Sequence, residues 1–224
     1  MLYYKIFFAS TLMSNNKKHS HVIEQVPKNY YQKGIEDNFL QRIWHTEKLD
    51  VVVSLVGGEP KNILDVGCAS GWFIFEISKK YPHAKCFGID LYESAIIYGR
   101  KKYKKIKFSV SDAHKLPYKK RMFDLILCTE VMEHVDDPEL VLREIKRVLK
   151  SGGEAIIELD SGSLLFSLAW FLWKKTKGRV WKNAHNDQFN LKKLERMIKK
   201  ANLSIKNKKT FNLGMAVAYR LQKK

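Results

Sequence analysis

Three acidic residues stand where a chain can hold a sugar, an amine or a base: Asp65, Asp90 and Asp112. Asp65 lies in Ile63-Leu64-Asp65-Val66-Gly67-Cys68-Ala69-Ser70-Gly71, an apolar run that opens into a glycine-containing turn. Glycine there lets a ligand approach the backbone closely, at the carboxyl end of a strand where open α/β sheets bind their ligands. A dinucleotide fingerprint would need glycine at positions 69 and 72, and these are Ala69 and Trp72. No Gly-Lys pair follows to make a P-loop. A plain tight turn would leave Asp65 unexplained. Asp90 ends Phe87-Gly88-Ile89-Asp90, 23 residues after Gly67 and one strand–helix–strand step away. A carboxylate in that place can accept hydrogen bonds from both hydroxyls of a ribose, or serve simply as a helix cap. Ser111-Asp112-Ala113 offers a carboxylate and small residues to the edge of a purine, and on its own reads equally as a loop.

Two histidines are candidate general bases: His134, in Glu130-Val131-Met132-Glu133-His134-Val135, and His185, in Asn183-Ala184-His185-Asn186-Asp187. Packing at a helix start is the other role for His134, and a solvated loop the other role for His185. Tyr30, Tyr31, Trp44 and His45 precede the core; they suit either helix packing or the shielding of a bound ligand. Cys68, Cys86 and Cys128 form no Cys-x-x-Cys pair and read as reduced thiols of a cytoplasmic protein. The histidines are scattered, with no metal-ligand spacing.

These residues must be positioned by elements that the hydrophobic pattern predicts. Ile35, Phe39, Ile43, Leu49, Val52 and Val53 fit amphipathic helix from Tyr30 to Val56, in one or two pieces, ended by Gly57-Gly58-Glu59-Pro60. Strands are expected at 62–66, 85–90, 106–110, 123–128 and 154–159, and helices at 72–80, 94–102 and 138–149. Ser151-Gly152-Gly153 reads as the stop of the last of these helices. That alternation argues for a parallel sheet with right-handed crossovers. After Asp160 come an apolar segment, 163–173, a basic one, 174–182, a helix at 191–201 capped by Asn190, and two strands around Asn212 and Gly214. The expected organisation is a disordered leader at 1–28, a helical cap at 29–57 and a ligand-binding domain at 58–224 with an insertion at about 161–189. Translation starting at Met13 would shorten the leader.

The ordered set resembles the class I S-adenosylmethionine-dependent methyltransferases, in particular the small-molecule, type 11-like kind whose first motif is Asp-x-Gly-x-x-x-Gly. The resemblance covers about residues 60–160 and continues through Leu116-Pro117-Tyr118, Phe123-Asp124-Leu125-Ile126, Glu130 to Val135 and Leu149-Lys150-Ser151-Gly152-Gly153. It departs at Ala69, where the family has glycine. What the resemblance implies is a doubly wound, Rossmann-like α/β fold with seven strands in the order 3-2-1-4-5-7-6, strand 7 antiparallel. It also implies S-adenosylmethionine as cofactor. Asp65 would lie near its amino group, Gly67 to Gly71 with Cys68 and Ala69 along methionine, Asp90 and Leu91 at ribose, and Asp112-Ala113 at adenine. Thr129 and Tyr31 complete the implied cofactor set.

Composition narrows the partners. Net charge is +18, and residues 140–224 hold 20 basic against 6 acidic side chains, so 14 of those charges lie in the last third. Such a surface suits an anionic partner, whether acidic lipid headgroups or nucleic acid, or is simply solvated. The segment 163–173 is too short to span a bilayer, which takes about 20 apolar residues. An element apolar on every side must be buried or meet something apolar. A lid over the acceptor that also touches anionic membrane is the expectation for it. The leading function is methylation of a small or lipid-like acceptor at O, C or N. An RNA methyltransferase and a non-catalytic cofactor-binding scaffold are the alternatives. Against RNA, Cys128-Thr129-Glu130-Val131 lacks the Asn/Asp-Pro-Pro-aromatic run of adenine N-methylation, and no Pro-Cys pair supplies a cytosine-attacking thiol.

Overall fold

The computed structural model describes residues 27–175 and 190–223, apart from the side chains of Tyr31 and Lys174. Most of the leader expected at 1–28 and the second half of the insertion expected at 161–189 lie outside these residues. Two helices open the described chain, α1 (Tyr30–Asp37) and α2 (Phe39–Leu55). They are separate because Asn38 is extended, and its side chain accepts hydrogen bonds from the Leu40 and Gln41 amides. The amphipathic stretch is thus in two pieces, broken at a capping residue.

Strands and helices then alternate: β1 (Asn62–Val66), α3 (Trp72–Lys80), β2 (Lys85–Asp90), α4 (Glu93–Lys102), β3 (Lys107–Val110), β4 (Phe123–Thr129), α5 (Pro138–Val148) and β5 (Leu149–Asp160). Then come α6 (Leu164–Lys175), α7 (Leu191–Lys200), β6 (Leu203–Phe211) and β7 (Ala216–Lys223). The seven strands form one sheet in the order β3-β2-β1-β4-β5-β7-β6. The pairs from β3 to β5 are parallel, and β7 runs antiparallel to both β5 and β6. This is the doubly wound order that the sequence implied.

Each face of the sheet carries its own core. Ile63, Leu125, Leu127 and Ile156 pack with Leu49, Val52 and Leu55 of α2 and with α3 on one side. Leu64, Val66, Ile126, Cys128 and Ile157 pack with α5 and α7 on the other. Strands covered on both faces are apolar at successive positions, which is why their runs were visible in sequence. Asp137 caps α5 by accepting from the Leu140 amide at 2.9 Å, with Pro138 in its first turn.

One expectation needs correction. Ser151-Gly152-Gly153 does not stop a helix. The helix ends at Val148, and those residues belong to a long β5 that already pairs at Phe123–Leu149 and shifts register before Leu125. Glycines inside a strand mark such an irregularity as readily as a helix stop.

Candidate functional site

Asp65 and Asp90, singled out by sequence, stand with further acidic residues along the carboxyl edge of the sheet. Asp65 precedes the last residue of β1, Asp90 ends β2, Glu130 follows β4 at once, and Glu158 and Asp160 close β5. Alternation along each strand aims Asp65 and Glu158 to the face that carries Ile63 and Ile156, the face covered by α2.

The turn after β1 is shaped by backbone. Gly67 has φ +75°, and a Cβ there would lie 2.3 Å from Val131 Cγ2, so any other residue at position 67 would be strained. Gly71 has φ +84° and is pressed against Phe108, where an added Cβ would meet Cζ at 2.3 Å. Ala69, standing where the resemblance has glycine, takes the left-handed conformation with φ 46°. Its amide donates to Asp90 Oδ2 at 2.7 Å, and the Tyr92 amide donates to Asp90 Oδ1 at 2.8 Å. Asp90 therefore ties the turn to the end of β2. A carboxylate has about four acceptor sites, so capacity for a ligand hydroxyl remains beside these two amides and that of Leu91.

A small cavity of about 40 Å³ lies behind this turn, lined by Asp65, Gly67, Cys68, Ala69, Thr129 and Glu130, with Ser70, Trp72 and Phe73 and with His45 and Lys48 from α2. Asp65 is 1% exposed, and its Oδ2 has no hydrogen-bond partner. Burial pushes its pKa up to about 8 against the pull of Lys48, and the charge of Asp90 adds to the rise. A buried carboxylate oxygen left unpaired costs about 1–3 kcal/mol, so the place calls for a cationic donor. The ammonium of a methionine moiety fits it. A glycine turn that admits close backbone approach and a carboxylate for a ribose diol complete the fit to S-adenosylmethionine.

Next to it, and sharing His45 and Glu130 with it, is a larger cavity of about 460 Å³. Its walls come from α1 and α2 (Tyr30, Trp44), the turn after β4 (Glu133, His134), the end of β5 (Asp160), α6 (Phe166, Trp170) and the turn before β7 (Asn212, Met215). Glu130 stands between the two cavities in the left-handed region, φ 55°. Its carboxylate accepts from Trp44 Nε1 at 3.3 Å and pairs with Lys48 Nζ at 3.1 Å. Burial would raise Glu130, but the charge of Lys48 and the hydrogen bonds from Lys48 and Trp44 outweigh it and hold it well below the usual carboxylate range. His45 is held neutral, its pKa lowered to about 3 by burial and by Lys48. Above Lys48, both carboxylate oxygens of Glu158 are buried without a hydrogen-bond partner.

The described part of the chain accommodates most of the residues named from sequence, though in different settings. Asp65, Gly67, Cys68, Ala69 and Thr129 line the small cavity, and Leu91 is exposed beside Asp90. Gly71 instead shapes the start of α3 against Phe108. Asp112 Oδ1 accepts from the His114 amide and lies 2.7 Å from His114 Nδ1, while Ala113 packs against the core. His134 lines the large cavity. His185 and the Tyr31 side chain lie outside the described residues. Sequence reasoning did not assign Lys48, Glu130, Glu133, Glu158 or Asp160 to the site. The signal for four of them was their place after β4 or at the end of β5. Lys48 had only its spacing, one helical turn beyond Trp44.

Residues 58–215 match the sequence family described as "Methyltransferase domain". The chain belongs to this family. S-adenosylmethionine is the methyl donor of these class I methyltransferases and supplies, when bound, a sulfonium-activated methyl group. Among curated relatives, this chain is 38% identical over 105 residues to norajmaline N-methyltransferase of Rauvolfia serpentina, covering 44% of this chain and 36% of that one. It is 30% identical over 114 residues to demethylmenaquinone methyltransferase of Thermotoga maritima, covering 51% and 48%. The chain thus spans about a third to a half the length of the curated relatives it matches. A solved structure from Thermotoga maritima, described as an S-adenosylmethionine-dependent methyltransferase and possible histamine N-methyltransferase, superposes with a TM-score of 0.71 at 23% identity. That superposition covers 91% of this chain and 99% of the other, and it shows the shared fold.

Proposed function

We propose that this chain transfers the methyl group of S-adenosylmethionine to a small, largely apolar acceptor seated in the 460 Å³ cavity. One observation carries the reading: His45 and Glu130 belong to the walls of both cavities, so donor and acceptor would meet at one shared boundary. Methyl transfer is an in-line displacement, and holding two reactants across a common boundary supplies much of its acceleration. Asp65 would receive the donor's ammonium, the backbone of Gly67 to Ala69 its methionine chain, Asp90 its ribose, and Asp112-Ala113 its adenine. The walls of the larger cavity, rich in Trp and other apolar side chains, match a ligand site in volume and character. The relatives named above include an N-methyltransferase and a demethylmenaquinone methyltransferase, which supports small and lipid-like acceptors alike.

A membrane contact belongs to the same reading. One side of α6 turns Phe166, Ala169, Trp170 and Trp173 to the cavity. The other leaves Leu164 (91%), Leu168, Phe171 and Leu172 exposed. With five basic residues between positions 174 and 182, this helix would rest on an anionic lipid surface and admit a hydrophobic acceptor from it. RNA is the weaker acceptor, since acidic side chains line the cavity and repel phosphate. The test is extract incubated with the protein and isotopically methyl-labelled donor, followed by mass spectrometry of each fraction. Label in a small-molecule or lipid fraction is expected. Label confined to RNA would overturn the reading.

A further inference from the structure

The large cavity contradicts the composition of the chain around it. The protein carries 41 basic against 23 acidic residues. Yet the described wall of this cavity holds four acidic side chains, Glu47, Glu130, Glu133 and Asp160, and no Lys or Arg. Three of the four are already engaged. Glu47 accepts from the Asn212 amide at 3.1 Å, and Glu130 pairs with Lys48. Asp160 accepts from the Gly162 amide at 3.1 Å through Oδ1. Glu133 differs from these. It is 5% exposed, it faces the cavity, and its Oε2 has no hydrogen-bond partner.

A buried carboxyl group of this kind either takes up a proton or finds a donor, and a charged donor is what holds it as a carboxylate. Aromatic rings surround the same space: Tyr30, Trp44, Phe166, Trp170 and Trp173. Their faces attract a cation, more strongly where water is excluded. An acceptor ending in a carboxylate or phosphate would meet only like charge here. A neutral alcohol would leave the excess of acid uncompensated.

We propose that the methyl acceptor is a lipophilic amine, its nitrogen bound as a cation by Glu133 among the aromatic rings and its apolar body lying along α6. The proposal rests on the methyltransferase reading of the cavity and names its substrate class. A protonated nitrogen has no lone pair for displacement, so Glu133 also acts as base. The ammonium proton passes to the Glu133 carboxylate, leaving a neutral amine and a carboxylic acid. The freed lone pair then forms the N–C bond to the donor methyl as the C–S bond breaks, and sulfur keeps that electron pair. Positive charge moves from sulfur to the methylated nitrogen, which stays beside the acidic wall.

The full chain saturated with S-adenosylhomocysteine would be titrated calorimetrically with octylamine, 1-octanol and octanoate. Octylamine should bind at least tenfold more tightly than 1-octanol, and octanoate more weakly than either. Glu133→Gln, which keeps side-chain volume, should cut the amine-over-alcohol preference roughly tenfold, and labelled methyl should appear on octylamine only with the parent residue. Equal binding of amine and alcohol by the parent would overturn the proposal, and so would a preference that survives Glu133→Gln. If Glu133→Gln fails to fold, the comparison within the parent decides. A parent that does not bind S-adenosylhomocysteine would overturn the donor site itself, an outcome distinct from binding it without preferring the amine.

Discussion

Asp65 sits under the turn after β1 with one oxygen unpaired and its pKa pushed up to about 8 by burial, opposed by Lys48 and reinforced by Asp90. Because that folded value is raised, Asp65 adds stability that is fully present below its ordinary value of 3.8 and is lost as pH rises through about 8. His45 works in the opposite sense. Its folded pKa is depressed to about 3, so its contribution is present above 6.5 and fades as pH falls toward 3. At neutral pH Asp65 is largely protonated, and a ligand ammonium beside it would hold it ionised. Binding of S-adenosylhomocysteine at pH 7 should therefore release up to about one proton, and Asp65→Asn should abolish most of that release. Calorimetry in buffers of different ionisation enthalpy measures it; a binding heat that does not depend on buffer would contradict the role given to Asp65. Asp65 and Asp90 were legible because an acidic residue closing an apolar run needs a reason. Lys48 was not, since a lysine on a helix ordinarily reads as solvated surface. Only the packing of α2 onto the sheet buries it beside Glu130.

At the level of elements, the parallel strands were legible for a physical reason: both faces are covered, so β1 has adjacent Ile63 and Leu64 and β4 runs apolar from Leu125 to Cys128. The start of β5 was not. Its glycines read locally as a helix stop, and only pairing with β4 decides that Leu149 is already strand. The segment 163–173 was recognised as apolar all round, but sequence could not say which side is covered. The structure divides it into a side on the cavity and a side left exposed. If the exposed side rests on lipid, the protein should float with anionic vesicles at low salt and less with neutral ones. Leu168→Ser/Leu172→Ser, on the outer side, should at least halve the floating fraction while leaving S-adenosylhomocysteine affinity as it was. Equal flotation of parent and variant would remove α6 from the contact, because each exposed leucine is expected to contribute about 1.5–3 kcal/mol on full burial in an apolar phase.

Across the whole molecule, a strongly basic chain gathers Asp65, Asp90, Glu130, Glu158 and Asp160 along the carboxyl edge of one sheet. Two cavities meet there at His45 and Glu130. Its family and fold were readable from the order of its motifs. The larger cavity was not, because it is assembled from α1, α2, the turn after β4, the end of β5, α6 and the turn before β7, which are distant in sequence. Every step attributed to this molecule requires that the donor bind at the turn between β1 and α3, beside the end of β2. Titration calorimetry of S-adenosylhomocysteine against the parent and Asp90→Asn tests that requirement most directly. The asparagine keeps the size of the side chain but has one oxygen where Asp90 uses two, so either the Ala69 or the Tyr92 amide loses its acceptor, and the melting temperature should fall while the fold survives. Loss of a charge-assisted hydrogen bond to the ligand is worth about 1–3 kcal/mol, so affinity should fall roughly 5- to 150-fold. Parent and variant binding S-adenosylhomocysteine with equal affinity, or neither binding it at all, would contradict the assignment of this edge as the donor site.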